Sequence, residues 1–174
     1  MVLHPFPPVF NEQSTTLILG SFPSVQSRET GFYYGHPRNR FWVMLSAVYD
    51  EPLPMTIADK KQLLLAHHLA LWDAIASCEI SGSADASVRH AVPVDLSVIL
   101  LQANIQRILC NGKLAGTLYT RYLKETAGLE AIILPSTSPA NAAWSLTRLT
   151  DTWQPYLIAN NEGITTHKHS ASPI

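Results

Sequence analysis

Thr15-Thr16-Leu17-Ile18-Leu19-Gly20-Ser21-Phe22-Pro23-Ser24 is the stretch that decides the fold. Its first five residues are β-branched or apolar without a break, and a glycine follows. A strand with one wet face alternates polar and apolar side chains. An unbroken run suits a strand buried on both faces, as in a parallel sheet covered by helices. Beyond Gly20 the composition turns to Ser, Pro and Gly with three adjacent aromatics, Phe32-Tyr33-Tyr34. Residues 20–39 therefore read as one long loop, and a loop of that length in a compact domain is usually functional.

The neighbouring segments extend the pattern. Residues 4–14 are Pro-rich and read as an N-terminal strap. Arg40 to Tyr49 places Phe41, Leu45 and Val48 on one helical face, and residues 56–68 suit a second helix. Leu69 to Ile75 reads as a strand. Residues 77–95, with Ser81-Gly82-Ser83, are polar and turn-rich. Asp95 to Ala103 suits a short capped helix. Arg107 to Cys110 is a strand stopped by Asn111-Gly112, and residues 114–127 a helix ended by Gly128. Ala131 to Leu134 is the next strand. A helix capped by Ser138 or Asn141 then carries Trp144, Leu146, Leu149 and Trp153, with Ile158-Ala159-Asn160 as an edge segment. Strands alternating with helices predict an α/β three-layer sandwich around a short, mostly parallel four-stranded sheet. Residues 1–160 make one domain, and 161–174 a polar C-terminal tail.

Composition agrees with that class. The chain has 174 residues, 47% of them hydrophobic and 14% charged, which fits one globular domain. No apolar run approaches a membrane span. Met1–Pro8 has neither a basic nor a long apolar region, so no signal peptide is expected. Two cysteines, Cys78 and Cys110, are too few for a disulfide framework, and a reduced, cytoplasmic setting is the default. Seven scattered His form no metal-ligand spacing. Twelve Lys and Arg against 13 Asp and Glu give a net charge of -1, an objection to any nucleic-acid role.

In a parallel sheet, ligands bind beyond the carboxyl ends of the strands. Three loops leave such ends: Gly20 onward, Asn111-Gly112-Lys113, and Ser136 onward. The first offers close backbone approach at glycines and flat rings for stacking. Asn39 either orients a water or base edge or merely caps the following helix. Ser136-Thr137-Ser138-Pro139-Ala140-Asn141 either cradles a phosphate with backbone N–H groups and hydroxyls or is a capped turn. Asp73, at a strand end, is a lone carboxylate that either touches the site or is structural.

These residues together resemble the uracil DNA glycosylase superfamily, in particular its deoxyinosine (hypoxanthine) DNA glycosylase branch. The resemblance rests on Phe6-Pro7-Pro8-Val9, Leu17 to Ser24, Tyr33-Tyr34-Gly35-His36-Pro37-Arg38-Asn39-Arg40-Phe41-Trp42, Leu71-Trp72-Asp73 with Ala76-Ser77-Cys78-Glu79, Asn111-Gly112-Lys113 and Pro135 to Asn141. It implies hydrolysis of the N-glycosidic bond of a deaminated base in DNA, without cofactor; a monomer is the default for a repair enzyme of this size. It implies Asn39 as the catalytic residue, because Phe22 occupies the slot where mismatch-specific relatives carry a water-positioning Asn. It implies that Gly20, Ser21, Phe22, Pro23, Ser24 and Tyr34 bind the base. Lys113, Ser136, Thr137, Ser138, Pro139 and Asn141 would contact DNA, with Arg28, Arg38, Arg40 and Arg148 as further rim cations. One departure stands out: Val94-Asp95 lies where the family often shows an Asn-Asp pair. A uracil or mismatch glycosylase and a non-catalytic DNA or nucleobase binder are the alternatives.

Overall fold

The computed structural model describes residues 1–80 and 88–166. Its centre is a four-stranded, all-parallel sheet in the order β3-β2-β6-β7. These strands are β2 (Thr16–Gly20), β3 (Leu69–Asp73), β6 (Arg107–Asn111) and β7 (Ala131–Leu134). Every residue of β2 is buried, as its unbroken apolar run requires. Its side chains alternate between two cores. Ile18 packs with Leu69, Leu71, Leu109 and Leu134 against helices α2 (Phe41–Tyr49), α3 (Ile57–Ala66) and α7 (Leu146–Thr166). Leu17 and Leu19 pack with Ala70, Ile108 and Cys110 against α4 (Ser97–Leu100) and α5 (Lys113–Tyr122). The three layers expected from the sequence are present.

Four local expectations need correction. The loop over residues 20–39 contains a short helix, α1 (Val25–Thr30), capped by the Ser24 hydroxyl accepting from the Ser27 N–H. The region 77–95 is not merely turn-rich: β4 (Ile75–Ile80) and β5 (Val88–Pro93) pair antiparallel, and β4 also pairs with β1 (Val2–Leu3). Two register shifts interrupt the β4–β5 ladder, which hides its alternation in the sequence. Ser81-Gly82-Ser83 and residues 167–174 lie outside the described residues. Neither Ser138 nor Asn141 caps the last helix. The Ser145 hydroxyl does, accepting from the Arg148 N–H. Ile158-Ala159-Asn160 is no edge segment, because α7 continues through it to Thr166.

The expected helix over 114–127 is α5 followed by α6 (Lys124–Ala127), with a break at Leu123. The N-terminal strap lies along the outer edge of β3, where Val9 and Leu71 exchange both backbone hydrogen bonds. No helix among the described residues is long and apolar enough to cross a membrane.

Truncating Ile18, fully buried at the sheet centre, should cost about 2–5 kcal/mol in Ile18→Ala. Leu101→Ala, at a residue 85% exposed, should stay within about 0.5 kcal/mol. Urea unfolding midpoints measure both.

Candidate active site

Register sets the site. Gly20 is level with Asp73, Leu19 with Cys110, and Asn111 with Leu134. The carboxyl ends of all four strands therefore open on one edge, beneath a cavity of about 270 Å³. That is near the lower end of small-molecule sites. Gly20 to Ser24, Tyr34, Asn39, Lys113 and Ser136 to Ser138 all line it. Pro139 and Asn141 do not. The Asn141 amide instead donates to the Ser136 carbonyl and braces the loop from behind.

Asn39 caps the following helix, as one of the two sequence readings expected, and it lines the cavity. Its Oδ1 accepts from the Phe41 N–H at 2.9 Å, which ties down the start of α2. The same oxygen accepts from the Thr137 hydroxyl at 3.0 Å. Thr137 Oγ1 in turn accepts from Asn111 Nδ2, and the Thr137 N–H donates to Asn111 Oδ1, each at 3.0 Å. Two donors thus occupy the Asn39 carbonyl oxygen, and its amide N–H groups are left for the cavity. Thr137 is fully buried. Its expected contact with DNA gives way to a bridging role between Asn111 and Asn39.

Arg40 is likewise no rim cation. Its guanidinium donates to the carbonyls of Ser138, Asn141 and Trp144, clamping that loop onto the start of α2. Arg148 lies over the Trp144 ring, 3.9 Å from its centroid. Arg28 and Lys113 remain in the cavity wall. Lys113 opens α5, whose amino end has no side-chain cap.

The residue that sequence reasoning undervalued is Asp73. It lines the cavity, is 4% exposed, and its Oδ2 lies 2.7 Å from His4 Nε2. That partner stands 69 positions earlier, so no local pattern announces the pair. A Cβ at Gly20 would come within 2.3 Å of Asp73 Oδ1 and 2.9 Å of the Tyr34 hydroxyl. Only glycine leaves this corner open. Tyr34 has a left-handed backbone, φ 55°, unusual for an aromatic residue, and its ring packs on Phe41 at 4.2 Å. Its hydroxyl lies beside the Asn111 side chain but makes no hydrogen bond of normal geometry, and Arg28 Nε is buried without a hydrogen-bond partner. Burial, reinforced by the Asp73 charge, pushes the Tyr34 phenol well above its ordinary range and keeps it a donor. Unpartnered buried polar atoms in a cavity wall are what a polar ligand satisfies.

The Thr137 bridge is open to a stability test. Thr137→Val removes the hydroxyl and strands the half-buried amides of Asn39 and Asn111, so it should cost about 1–3 kcal/mol in urea unfolding. Thr137→Ser keeps the hydroxyl and should cost less than Thr137→Val.

Comparison with known proteins bears on this geometry. The chain matches the family model of the uracil DNA glycosylase superfamily over residues 7–157. It is 35% identical over 150 residues to a hypoxanthine DNA glycosylase of Methanosarcina acetivorans, covering 85% of this chain and 94% of the relative. It is 34% identical over 138 residues to a hypoxanthine DNA glycosylase of Methanosarcina barkeri, covering 78% and 86%. A solution NMR structure from Methanosarcina acetivorans, provisionally described as a uracil DNA glycosylase, superposes with a TM-score of 0.77. It is 31% identical, with 90% of this chain and 97% of that one covered. With nearly all of its described length matched and the parallel sheet opening on one polar cavity, the chain belongs to the uracil DNA glycosylase superfamily.

Proposed function

We propose that the chain is a DNA glycosylase that excises hypoxanthine from deoxyinosine in DNA repair. The observation that carries the reading is the convergence of Asn39, Phe22 and Asp73 on the cavity over the strand ends. The two hypoxanthine DNA glycosylases at 34% and 35% identity support it.

The target base must leave the stack before its glycosidic bond is exposed. Deoxyinosine pairs weakly, so flipping it costs less than flipping a normal base. Half-buried Phe22 offers the flipped base a ring face, and the turn at Gly20 to Ser24 surrounds it. The bond breaks through an oxocarbenium-like sugar. Asp73 is the single carboxylate among the described cavity residues, and it is already paired with His4. The site therefore lacks the two flanking carboxylates that O-glycoside hydrolysis uses. Asn39 holds the water instead, by donating from its amide to the water oxygen, which leaves a lone pair for C1′. A donor is no base. That arrangement suits a reaction in which the bond to the base breaks before water adds: the purine leaves as an anion, and the proton that the water sheds on bonding to C1′ passes to it.

The uncapped amino end of α5, Lys113 and the hydroxyls of Ser136 and Ser138 form a wall that suits phosphates, the Thr137 and Ser138 N–H groups being used within the protein. Partial charges of backbone N–H groups need no cationic excess, which reconciles DNA binding with a net charge of -1.

Asn39→Ala should lower single-turnover excision from a deoxyinosine duplex at least about 100-fold, with duplex affinity changed less than about threefold. An undiminished rate would remove Asn39 from the mechanism. Lys113→Ala should flatten the slope of log affinity against log salt by about one. A salt titration of duplex binding measures it.

A further inference from the structure

The departing purine carries a negative charge that the hydrolysis above leaves unbalanced. When the C1′–N9 bond breaks, both of its electrons stay on the purine and the sugar is left as the cation. The anion's charge spreads over its ring nitrogens and O6. The two phenols in the wall are poor acids, since burial lifts Tyr33 and Tyr34 well above their ordinary range. Asn39 has no acidic proton to give. Asp73 stands in the same wall and repels an anion. A charge enclosed without a partner is costly, so this cavity calls for a cation that faces the base.

Among the described residues, Lys113 and Arg28 are the basic side chains that line the cavity, and they come from different places. Lys113 follows the end of β6, where a Cβ at Gly112 would come within 3.0 Å of Ser136. It belongs to the phosphate wall. Arg28 comes from α1, which rises from the turn at the end of the central strand β2. We propose that Arg28 is a catalytic residue of this reaction, its guanidinium facing the flipped purine and stabilising the anion that forms as the glycosidic bond breaks.

The guanidinium is uncommitted. Its Nε is buried without a hydrogen-bond partner, and among the described residues no carboxylate lies within ion-pair distance of it. The other arginines near the site are engaged: Arg40 by loop carbonyls, Arg107 by the Tyr156 carbonyl and Arg148 by the Trp144 ring. The helix that carries Arg28 is fixed at both ends. Ser24 caps its start, and Gly31, at φ 79°, closes it. The Ser27 hydroxyl accepts from the Gly35 N–H and ties α1 to the segment that bears Tyr34. A planar fork of donors suits a purine, whose N7 and O6 are adjacent acceptors. Arg28 gives up no proton in this role, because the anion takes its proton from the water that bonds to C1′. The intact nucleotide holds a neutral base, so the fixed charge favours the breaking bond over the bound substrate.

The inference rests on the functional reading above, and its test separates the two. Single-turnover excision from a deoxyinosine duplex is measured for the wild type, for Arg28→Gln, which loses the charge, and for Arg28→Lys, which keeps it. Affinity is measured on a duplex carrying 2′-fluoro-2′-deoxyinosine, whose fluorine disfavours the sugar cation and so prevents cleavage. Arg28→Gln should be at least about 100-fold slower than the wild type. Its affinity should change less than about threefold, and its slope of log affinity against log salt should not change. Arg28→Lys should be at least about tenfold faster than Arg28→Gln. Urea unfolding midpoints should match the wild type, and Arg28→Met, also uncharged, replaces Arg28→Gln if that variant does not fold. Equal rates in the charged and uncharged variants, or an uncharged variant as fast as the wild type, would overturn the inference. So would a salt slope flattened by about one in the uncharged variant, which would make Arg28 a phosphate contact. No wild-type excision of deoxyinosine would instead bring down the functional reading itself, and this inference with it.

Discussion

Backbone register in a parallel sheet is the constraint on which the rest of the structure depends. Each hydrogen-bonded pair along β2 fixes which residues end level with one another: Gly20 with Asp73 on one side, and Leu19 with Cys110 on the other. A slip of one residue would turn Leu17 and Leu19 into the opposite core and move Asp73 off the corner that Gly20 leaves open. The ends of the strands are thus held level by main-chain bonds buried under two layers, and side-chain hydrogen bonds then fix the groups that line the cavity.

The two ends of the cavity are built differently. At the β6–β7 end, neutral hydrogen bonds run from Asn111 through Thr137 to Asn39, and they settle which edge of the Asn39 amide is left for the cavity. At the β3 end a single charge is held by an imidazole from the strap. Polar groups between them stay unpartnered. A cavity so arranged is pre-organised at both ends and unsatisfied in the middle, which is where a flipped base would lie.

Much of this was legible in the sequence, for definite reasons. The unbroken apolar runs at Leu17–Leu19 and Ile108–Cys110 announce doubly buried strands, and the loops that leave them had to share an edge. What stayed hidden depends on partners distant in sequence. The helix α1 is six residues long and owes its existence to one serine cap, so it vanished into the loop. The β4–β5 ladder is interrupted by two register shifts that break the alternation a strand shows. Arg40 reads as a phosphate contact until its guanidinium is seen among three loop carbonyls. Thr137 reads as a surface hydroxyl until its full burial is seen. Asp73 reads as a stray carboxylate because His4 is 69 residues away.

The central claim is that this cavity removes a deaminated purine from DNA. The measurement that tests it most directly is single-turnover strand cleavage, with alkali to break abasic sites, on otherwise identical duplexes carrying one deoxyinosine, one deoxyuridine, one deoxyxanthosine or no modified base. The account predicts the fastest cleavage at deoxyinosine and none at the unmodified duplex. Faster cleavage at deoxyuridine, or tight binding of the deoxyinosine duplex with no cleavage at all, would contradict it.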